Sequence, residues 1–261
     1  MDIEKNIKLH NKIAKKYEAI HTEIYNTIEQ SRLKEDLFKS YSAIAKEKVV
    51  ALDLGCGAGN LTNHLLNMGC DVIAADVSKG FLDLVNDKFS GKKISTFELN
   101  GMDLSGIQDN SIDFIATYSV LHHIPDYIKT VKEMIRVCSP GGIIYIDHEQ
   151  NNVYWSEDME YKTFQSKVSK TNLSRFFVLS NYVGKFKRLF NPKFANEGDI
   201  HVWPDDHIEW DSIDTIMSEK GFNKVLQNDF LLYNSNYKDE VFDLYKDKCS
   251  DMRATAYQKA I

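Results

Sequence analysis

Cysteine is scarce in this sequence and long apolar runs are absent, and each shortage argues against a class of protein. The four cysteines are far apart and form no C-x-x-C pair, which argues against a zinc site and a disulfide framework. No apolar run approaches the ~20 residues of a membrane-spanning helix, and lysines interrupt the N-terminal stretch, unlike in a signal peptide. We therefore expect a cytoplasmic protein without a transmembrane segment.

A large excess of positive charge is also missing. The formal net charge is −6, so the chain as a whole offers no basic footprint for nucleic acid, which is an unlikely partner. Its 261 residues, of which 43 % are apolar, suffice for one good core. This size favours one domain with an embellishment over two independent domains.

Short, nearly continuous apolar runs begin at residue 49 and alternate with amphipathic segments. Such runs are typical of strands buried on both faces, as in a parallel sheet covered by helices. Strands are predicted at 49–54, 72–75, 112–117 and 143–146, near 222–233 and near 252–260. Helices are predicted at about 58–68, 79–89, 126–138 and 208–221, and residues 3–47 also have a helical pattern.

The change of pattern along the chain divides it into four segments. The first is a helical cap, in which one stripe of residues is expected to face the core: Ile28, Leu33, Leu37, Tyr41 and Ile44. The third lacks a convincing alternation of strand and helix, so it is interpreted as an insertion. The segments are 1–48 (cap), 49–149 (alternating core), 150–205 (insertion) and 206–261 (C-terminal part of the core).

A glycine-dense turn follows the first predicted strand, in the stretch LDLGCGAGN at 52–60. Glycine permits positive φ and close approach of a ligand to the backbone, and a helix N-terminus behind it favours a negative group. The second predicted strand ends at Asp76, where a doubly wound fold holds a ribose by its hydroxyls. The glycines fall as G-x-G-x-G rather than the dinucleotide pattern G-x-G-x-x-G. The alternative is an ordinary tight turn between strand and helix.

With this loop and acid, two further stretches resemble the class I methyltransferases that depend on S-adenosylmethionine (SAM). These are DNSIDFIATYSVLHHIPD at 109–126 and SPGGIIYI at 139–146. The resemblance covers about residues 45–150 and is closest to the group that methylates small molecules. It implies an α/β, doubly wound, Rossmann-like fold. The implied sheet has seven mostly parallel strands, with N-terminal helices and a lid insertion after the fifth strand.

The resemblance also implies which residues bind SAM. Asp53, Gly55, Cys56 and Gly57 would lie along its methionine end, and Asp76 would accept from both ribose hydroxyls. The remaining implied contacts are Val77 beside the adenine, Gly101, Met102 and Asp103 on its far side, and Tyr118 and Ser119 beneath the sulfonium. In the loop at 100–103 the sequence departs from the usual Gly-Asp-Ala, so the polar contact could come from Met102 or Asp103.

Three residues are candidates for acceptor-side chemistry. His123 follows the strand predicted at 112–117, and histidine can take a proton near neutral pH. The alternative is that the His122-His123 pair only supports the loop. His148 lies between Asp147 and Glu149, just after the strand predicted at 143–146. These residues could either face an acceptor or begin a solvated loop. Tyr17 would touch the cofactor from the N-terminal helices or pack in the core. We expect no metal, because neighbours on a strand point to opposite faces.

Three other functions compete with methylation of a small molecule. A methyltransferase acting on RNA or protein would be supported only by the basic insertion, and strong salt dependence of RNA binding would favour it. A non-catalytic SAM-binding protein would never convert SAM to S-adenosylhomocysteine. A nicotinamide dehydrogenase disagrees with the glycine spacing and would be detected by titration with NADH.

The insertion carries a local excess of positive charge. Between Tyr161 and Asn196 there are eight Lys or Arg residues and no Asp or Glu, interleaved with aromatic residues. This segment could be an ordinary lid with a solvated basic face. It could also rest on an anionic membrane surface or attract an anionic acceptor.

From this charge we predict that the small-molecule acceptor carries a carboxylate or phosphate. Neutralising Lys185, Lys187 and Arg188 should then slow its methylation, because the attraction to the anion is lost. The measurement is the turnover of the acceptor by the triple variant. Turnover indifferent to the three substitutions would contradict this prediction.

Overall fold

In the computed structural model of the protein, residues 21–169 and 207–261 are described. The described strands are β1 Val50–Leu54, β2 Asp71–Asp76, β3 Ile94–Glu98, β4 Ile112–Tyr118, β5 Cys138–Gln150, β6 Phe222–Phe230 and β7 Met252–Lys259. The helices are α1 Thr27–Tyr41, α2 Asn60–Asn67, α3 Lys79–Lys88, α4 Tyr127–Val137, α5 Asn152–Trp155, α6 Met159–Val168, α7 Trp210–Glu219 and α8 Asp239–Tyr245. A 3₁₀ turn, Leu121–His123, follows β4.

The strands form one sheet in the order β3-β2-β1-β4-β5-β7-β6. Pairing is parallel from β3 to β5, whereas β7 runs antiparallel to both β5 and β6. The predicted seven-stranded, mostly parallel sheet is therefore confirmed. The order reverses direction between β1 and β4, and this switch point is where an open α/β sheet leaves a crevice for a ligand.

Both faces of the sheet are covered. On one face Leu52, Ile115 and Ile144 pack with residues of α4 and α7 such as Met134 and Ile213. On the other face the neighbouring strand positions pack against α1 and α2: Ala51, Phe114 and Ile143, with Leu33, Leu37 and Leu65. This two-sided burial explains why the central strands have continuous rather than alternating apolar runs.

Several predicted boundaries were wrong. The helical pattern assigned up to residue 47 ends at Tyr41, and Ile28, placed on the buried stripe, is 47 % exposed. Strand β5 begins at Cys138 rather than 143 and includes Pro140. Helices α5 and α6 occupy the described start of the predicted insertion, and α8 was not predicted. Tyr17 and most of the basic insertion lie outside the described residues.

No helix in the described ranges is long and apolar enough to cross a membrane.

A buried ion cluster attaches α1 to the end of β5. The Arg32 guanidinium donates to Glu29, to Asp36 at 2.9 Å and to Asp147 at 3.0 and 3.1 Å. It also lies 3.7 Å from the centre of the Phe230 ring. All three carboxylates are at most 3 % exposed. Burial by itself would lower the pKa of Arg32, but Asp147 and Glu29 outweigh it and raise that pKa overall.

We expect Arg32→Met to destabilise the fold by about 3–5 kcal/mol, because it leaves three buried carboxylates without their cation. The measurement is the free energy of unfolding in urea. Lys39→Met is the matched control, since the Lys39–Glu35 pair on the same helix is 57 % and 67 % exposed. Solvent screens such a pair, so its loss should change stability little. Equal losses in the two variants would contradict the importance of the cluster.

Candidate cofactor site and crevice

The glycine-dense turn leaves β1 at the switch point. The turn residues Gly55, Gly57 and Gly59 have φ of 76°, 48° and 85°. A residue with a side chain would be strained in this left-handed conformation. A Cβ on Gly55 would come within 2.5 Å of Val120, whereas a Cβ on Gly57 would meet no described atom within 4 Å. Gly55 is thus required for packing, while the space above Gly57 is open to a ligand.

Asp76 at the end of β2 is joined directly to this turn. Its Oδ2 accepts from the Gly57 amide at 3.0 Å and its Oδ1 accepts from the Ser78 amide at 2.8 Å. The residue is 7 % exposed. The structure therefore brings together the two elements that the sequence analysis paired, and their role as cofactor ligands stays a prediction.

A pocket of about 350 Å³, including the part open to solvent, lies beside the turn. Its lining contains most of the predicted cofactor residues together with parts of the N-terminal segment. The lining residues are Ile24, Tyr25, Asp53, Gly55, Cys56, Gly57, Ala58, Asn60, Leu61, Tyr118 and Ser119.

The predicted adenine-side residues are outside this lining. Val77, Gly101, Met102 and Asp103 do not line the pocket, and neither does the predicted ribose ligand Asp76. Met102 is 67 % exposed. Asp103 instead accepts from the Asn100 side chain at 2.8 Å. That bond, with help from Ser105, lowers the pKa of Asp103 to about 2. The described contacts therefore give these four residues no share in this pocket.

Asp53 is a buried carboxyl in the pocket wall. It is 1 % exposed and accepts from the Thr62 hydroxyl. Burial raises the pKa of Asp53 to about 7, and nearby Asp76 adds to that rise. A positively charged group in the pocket would favour the ionised form of Asp53.

Two predicted residues form the end of β4 below the pocket. The Tyr118 hydroxyl donates to Glu29 of α1 at 2.8 Å. Ser119 has φ of 57°, and its amide donates to the Asp147 carbonyl at 3.0 Å. Burial raises the pKa of Tyr118 well above its usual value, so its hydroxyl stays protonated and can act only as a hydrogen-bonding group near neutral pH.

His148 lies against Tyr118 in an unusual environment. It has φ of 58°, and its ring stacks on Tyr118 with 4.5 Å between the ring centres. Neither ring nitrogen has a hydrogen-bond partner among the described residues, and the side chain is buried. Burial lowers the pKa of His148 to about 4, although carboxylates including Asp147 act in the opposite direction. The imidazole is therefore neutral near pH 7.

The other histidines have a supporting arrangement. Glu149 accepts from the Val120 and Leu121 amides at 3.0 and 2.8 Å and contacts His122 Nδ1 at 2.7 Å. The centres of the His122 and His123 rings are 4.0 Å apart. Glu149 thus holds the turn that carries the histidine pair.

The three residues Asp147, His148 and Glu149 lie inside β5 and are buried, so the solvated loop start considered for them is wrong. Asp147 is bound by Arg32, and burial raises the pKa of its carboxyl. No group of three or more His, Cys, Asp or Glu side chains in residues 21–169 and 207–261 could hold a metal ion.

Sequence reasoning missed the polar residues that α1 brings to the crevice. Glu29 and Asp36 are buried on the same face as Leu33 and Leu37. Their helical spacing with apolar residues was the available signal, because charged residues on an apolar stripe must be paired inside the fold. Asn60 was quoted in the glycine motif, but it was not given a role.

Comparison with known proteins agrees with this geometry. Residues 52–146 match the family described as "Methyltransferase domain". The ubiquinone biosynthesis O-methyltransferase of Methylococcus capsulatus is 27 % identical over 115 residues, covering 43 % of this chain and 48 % of that protein. The demethylmenaquinone methyltransferase of Oceanobacillus iheyensis is 30 % identical over 145 residues, covering 53 % and 59 %. The chain thus aligns with about half the length of these relatives.

Structural similarity extends beyond the matched segment. A SAM-dependent methyltransferase from Methanosarcina mazei superimposes with a TM-score of 0.54 at 17 % identity, covering 85 % of this chain and 97 % of that one. At this identity the similarity establishes the fold. Residues 52–146 thus match the methyltransferase-domain family, and the chain shares the fold of a SAM-dependent methyltransferase.

Proposed function

We propose that this protein is a SAM-dependent methyltransferase that transfers the methyl group to an oxygen or nitrogen of a small molecule. The observation that carries the proposal is the open space above Gly57, whose amide is hydrogen-bonded to Asp76 at the switch point of the sheet. A backbone cradle next to a carboxylate suits a nucleoside-containing ligand. The family match and the fold support the same cofactor.

The residues present fit SAM. Asp53 would face its ammonium group, since a carboxyl with a pKa near 7 ionises readily beside a positive charge. Asp76, which is joined to the pocket wall by its hydrogen bond from the Gly57 amide, would accept from the ribose hydroxyls. The lining residues Tyr118 and Ser119 would lie near the sulfonium. When bound, the cofactor supplies a methyl group on a positively charged sulfur.

The chain's own residues have two tasks, which are alignment of the acceptor and exclusion of water. An acceptor that is protonated near neutral pH also has to lose its proton. We propose that His148 is the base that accepts this proton. Its ring is neutral, buried and without a hydrogen-bond partner in the described part of the chain. His123, which stands beside the Glu149-bound His122, is the second candidate base. Tyr17 stays a prediction outside the described residues.

The acceptor class is inferred from the relatives and from the charge of the insertion. The names of the relatives refer to ubiquinone and demethylmenaquinone, which favours a quinone-related small molecule. An acceptor with a carboxylate or phosphate stays a prediction from the basic insertion. In the described crevice the Arg32 cation is already bound by three carboxylates. A positively charged residue other than Arg32 would therefore have to attract an anionic acceptor.

We expect Asp76→Ala to weaken SAM binding by roughly 1–3 kcal/mol through loss of charge-assisted hydrogen bonds. The measurement is calorimetric titration with SAM, and the wild type should also release S-adenosylhomocysteine when a quinol acceptor is added. Asp71→Ala is the control, because this exposed aspartate begins the same strand at the opposite end. Unchanged SAM affinity in Asp76→Ala would show that the ribose lies elsewhere.

We expect His148→Asn to lower the rate of methyl transfer to a quinol about 10²–10⁴-fold, because the proton acceptor is lost. SAM affinity should hardly change, and asparagine tolerates the positive φ of this position. With its pKa near 4, His148 stays neutral down to about pH 5. The wild-type rate should therefore not fall between pH 8 and 6 through this group, as it would with an ordinary histidine of pKa about 6.5.

The control for this experiment is His207→Asn, which removes a histidine paired with Glu209. A His148→Asn rate equal to that of His207→Asn would exclude His148 as the base. A wild-type rate that falls along a single titration near pH 6.5 would point to His123 or another histidine instead.

A further inference from the structure

The first residue of α2 has an unusual donor. Asn60 lines the pocket, and its Nδ2 is buried without a hydrogen-bond partner in the described part of the chain. A buried amide donor without a partner costs roughly 1–3 kcal/mol, so native structures rarely leave one unless a water or ligand completes it. Its position in the pocket wall indicates a ligand atom.

The orientation of the Asn60 amide follows from its neighbours. The Ile24 carbonyl oxygen can only accept, so the Gln30 side-chain amide must point its Nε2 toward it. Nε2 donates to this oxygen at 3.0 Å. The same amide nitrogen donates to Asn60 Oδ1 at 2.9 Å, and His64 Nε2 lies 2.9 Å from Gln30 Oε1. With its oxygen held by Gln30, Asn60 has its nitrogen left for the pocket.

The chemistry around this nitrogen favours an anion. Asn60 begins α2, whose N-cap Gly59 supplies no side-chain hydrogen bond to the first turn. Uncapped amides and the helix dipole favour negative charge at this end. Asp53 lines the same pocket and would attract a positive group. A donor and a carboxyl in one pocket wall match the carboxylate and ammonium of an amino acid.

We propose, resting on the proposed function, that Asn60 Nδ2 donates to the carboxylate at the methionine end of SAM and that Gln30 orients it. The carboxylate is the anionic group of SAM at neutral pH, so it is the acceptor that this end of the pocket selects. Because Gln30 belongs to α1, the N-terminal segment takes part in cofactor binding through this contact. Asn60 is a binding residue, and Gln30 is a positioning residue.

The test compares two ligands that differ in the amino-acid end. S-adenosylhomocysteine carries the carboxylate, whereas 5′-methylthioadenosine has the same adenosyl thioether without it. Asn60→Asp should weaken S-adenosylhomocysteine about ten- to a hundred-fold, because a donor to a charged group is replaced by a like charge. Its affinity for 5′-methylthioadenosine should stay unchanged. Asn63→Asp, an exposed position on the same helix, is the matched control and should alter neither affinity.

A second variant keeps the test independent of folding at residue 60. Gln30→Met should weaken S-adenosylhomocysteine less than Asn60→Asp does, spare 5′-methylthioadenosine, and add little in the double variant, because both changes remove one contact. Equal weakening of both ligands, or none, in the two single variants would overturn the role of Asn60 and leave the proposed function intact. A wild-type protein that binds neither ligand would overturn both proposals.

Discussion

The hydrogen bond from the Gly57 amide to the Asp76 carboxylate is the contact on which the candidate site depends. It forms because β1 and β2 pair in parallel with Leu54 opposite Ala75, so the turn after one strand lies beside the end of the next. The positive φ of Gly57 lets the backbone come close without a side chain in between. A loop and an acid that are separate in sequence thereby become one ligand-binding surface.

A second constraint comes from charge inside the fold. Arg32 stands between Asp147 of β5 and two carboxylates of its own helix, and Glu29 continues the network to the Tyr118 hydroxyl. Because isolated buried charges are costly, this cluster holds α1 at one position over the sheet. Helix α1 is thus fixed beside the pocket by electrostatics as well as by apolar packing.

The network around Arg32 also explains the state of His148. Asp147 is occupied by Arg32 and by the Tyr145 hydroxyl, and Glu149 is occupied by the turn that carries His122. Neither neighbouring carboxylate is left to pair with the His148 ring. The backbone at positive φ and the stack on Tyr118 hold the imidazole in a buried position. Burial lowers its pKa, so the ring stays neutral near pH 7.

Much of this arrangement could be predicted from the sequence, because it depends on local signals. The apolar runs located every strand except β3, whose residues are half-buried or exposed and form no apolar run. The glycines with Asp76 located the crevice. The surroundings of residues 147–149 could not be predicted, since the partner of Asp147 is Arg32, far away in sequence. The contribution of Asn60 was hidden for the same reason, because its orientation depends on Gln30. The loop at 100–103 was placed by resemblance, and the described contacts hold it by its own side chains.

We propose above all that the turn at 55–59 and Asp76 together bind one adenosyl group. A crystal structure of the protein grown with S-adenosylhomocysteine tests it most directly. We expect electron density with the ribose hydroxyls at the Asp76 carboxylate and the amino-acid end along the glycine turn. Density for the ligand in another cavity, or contact with only one of these two elements, would contradict it.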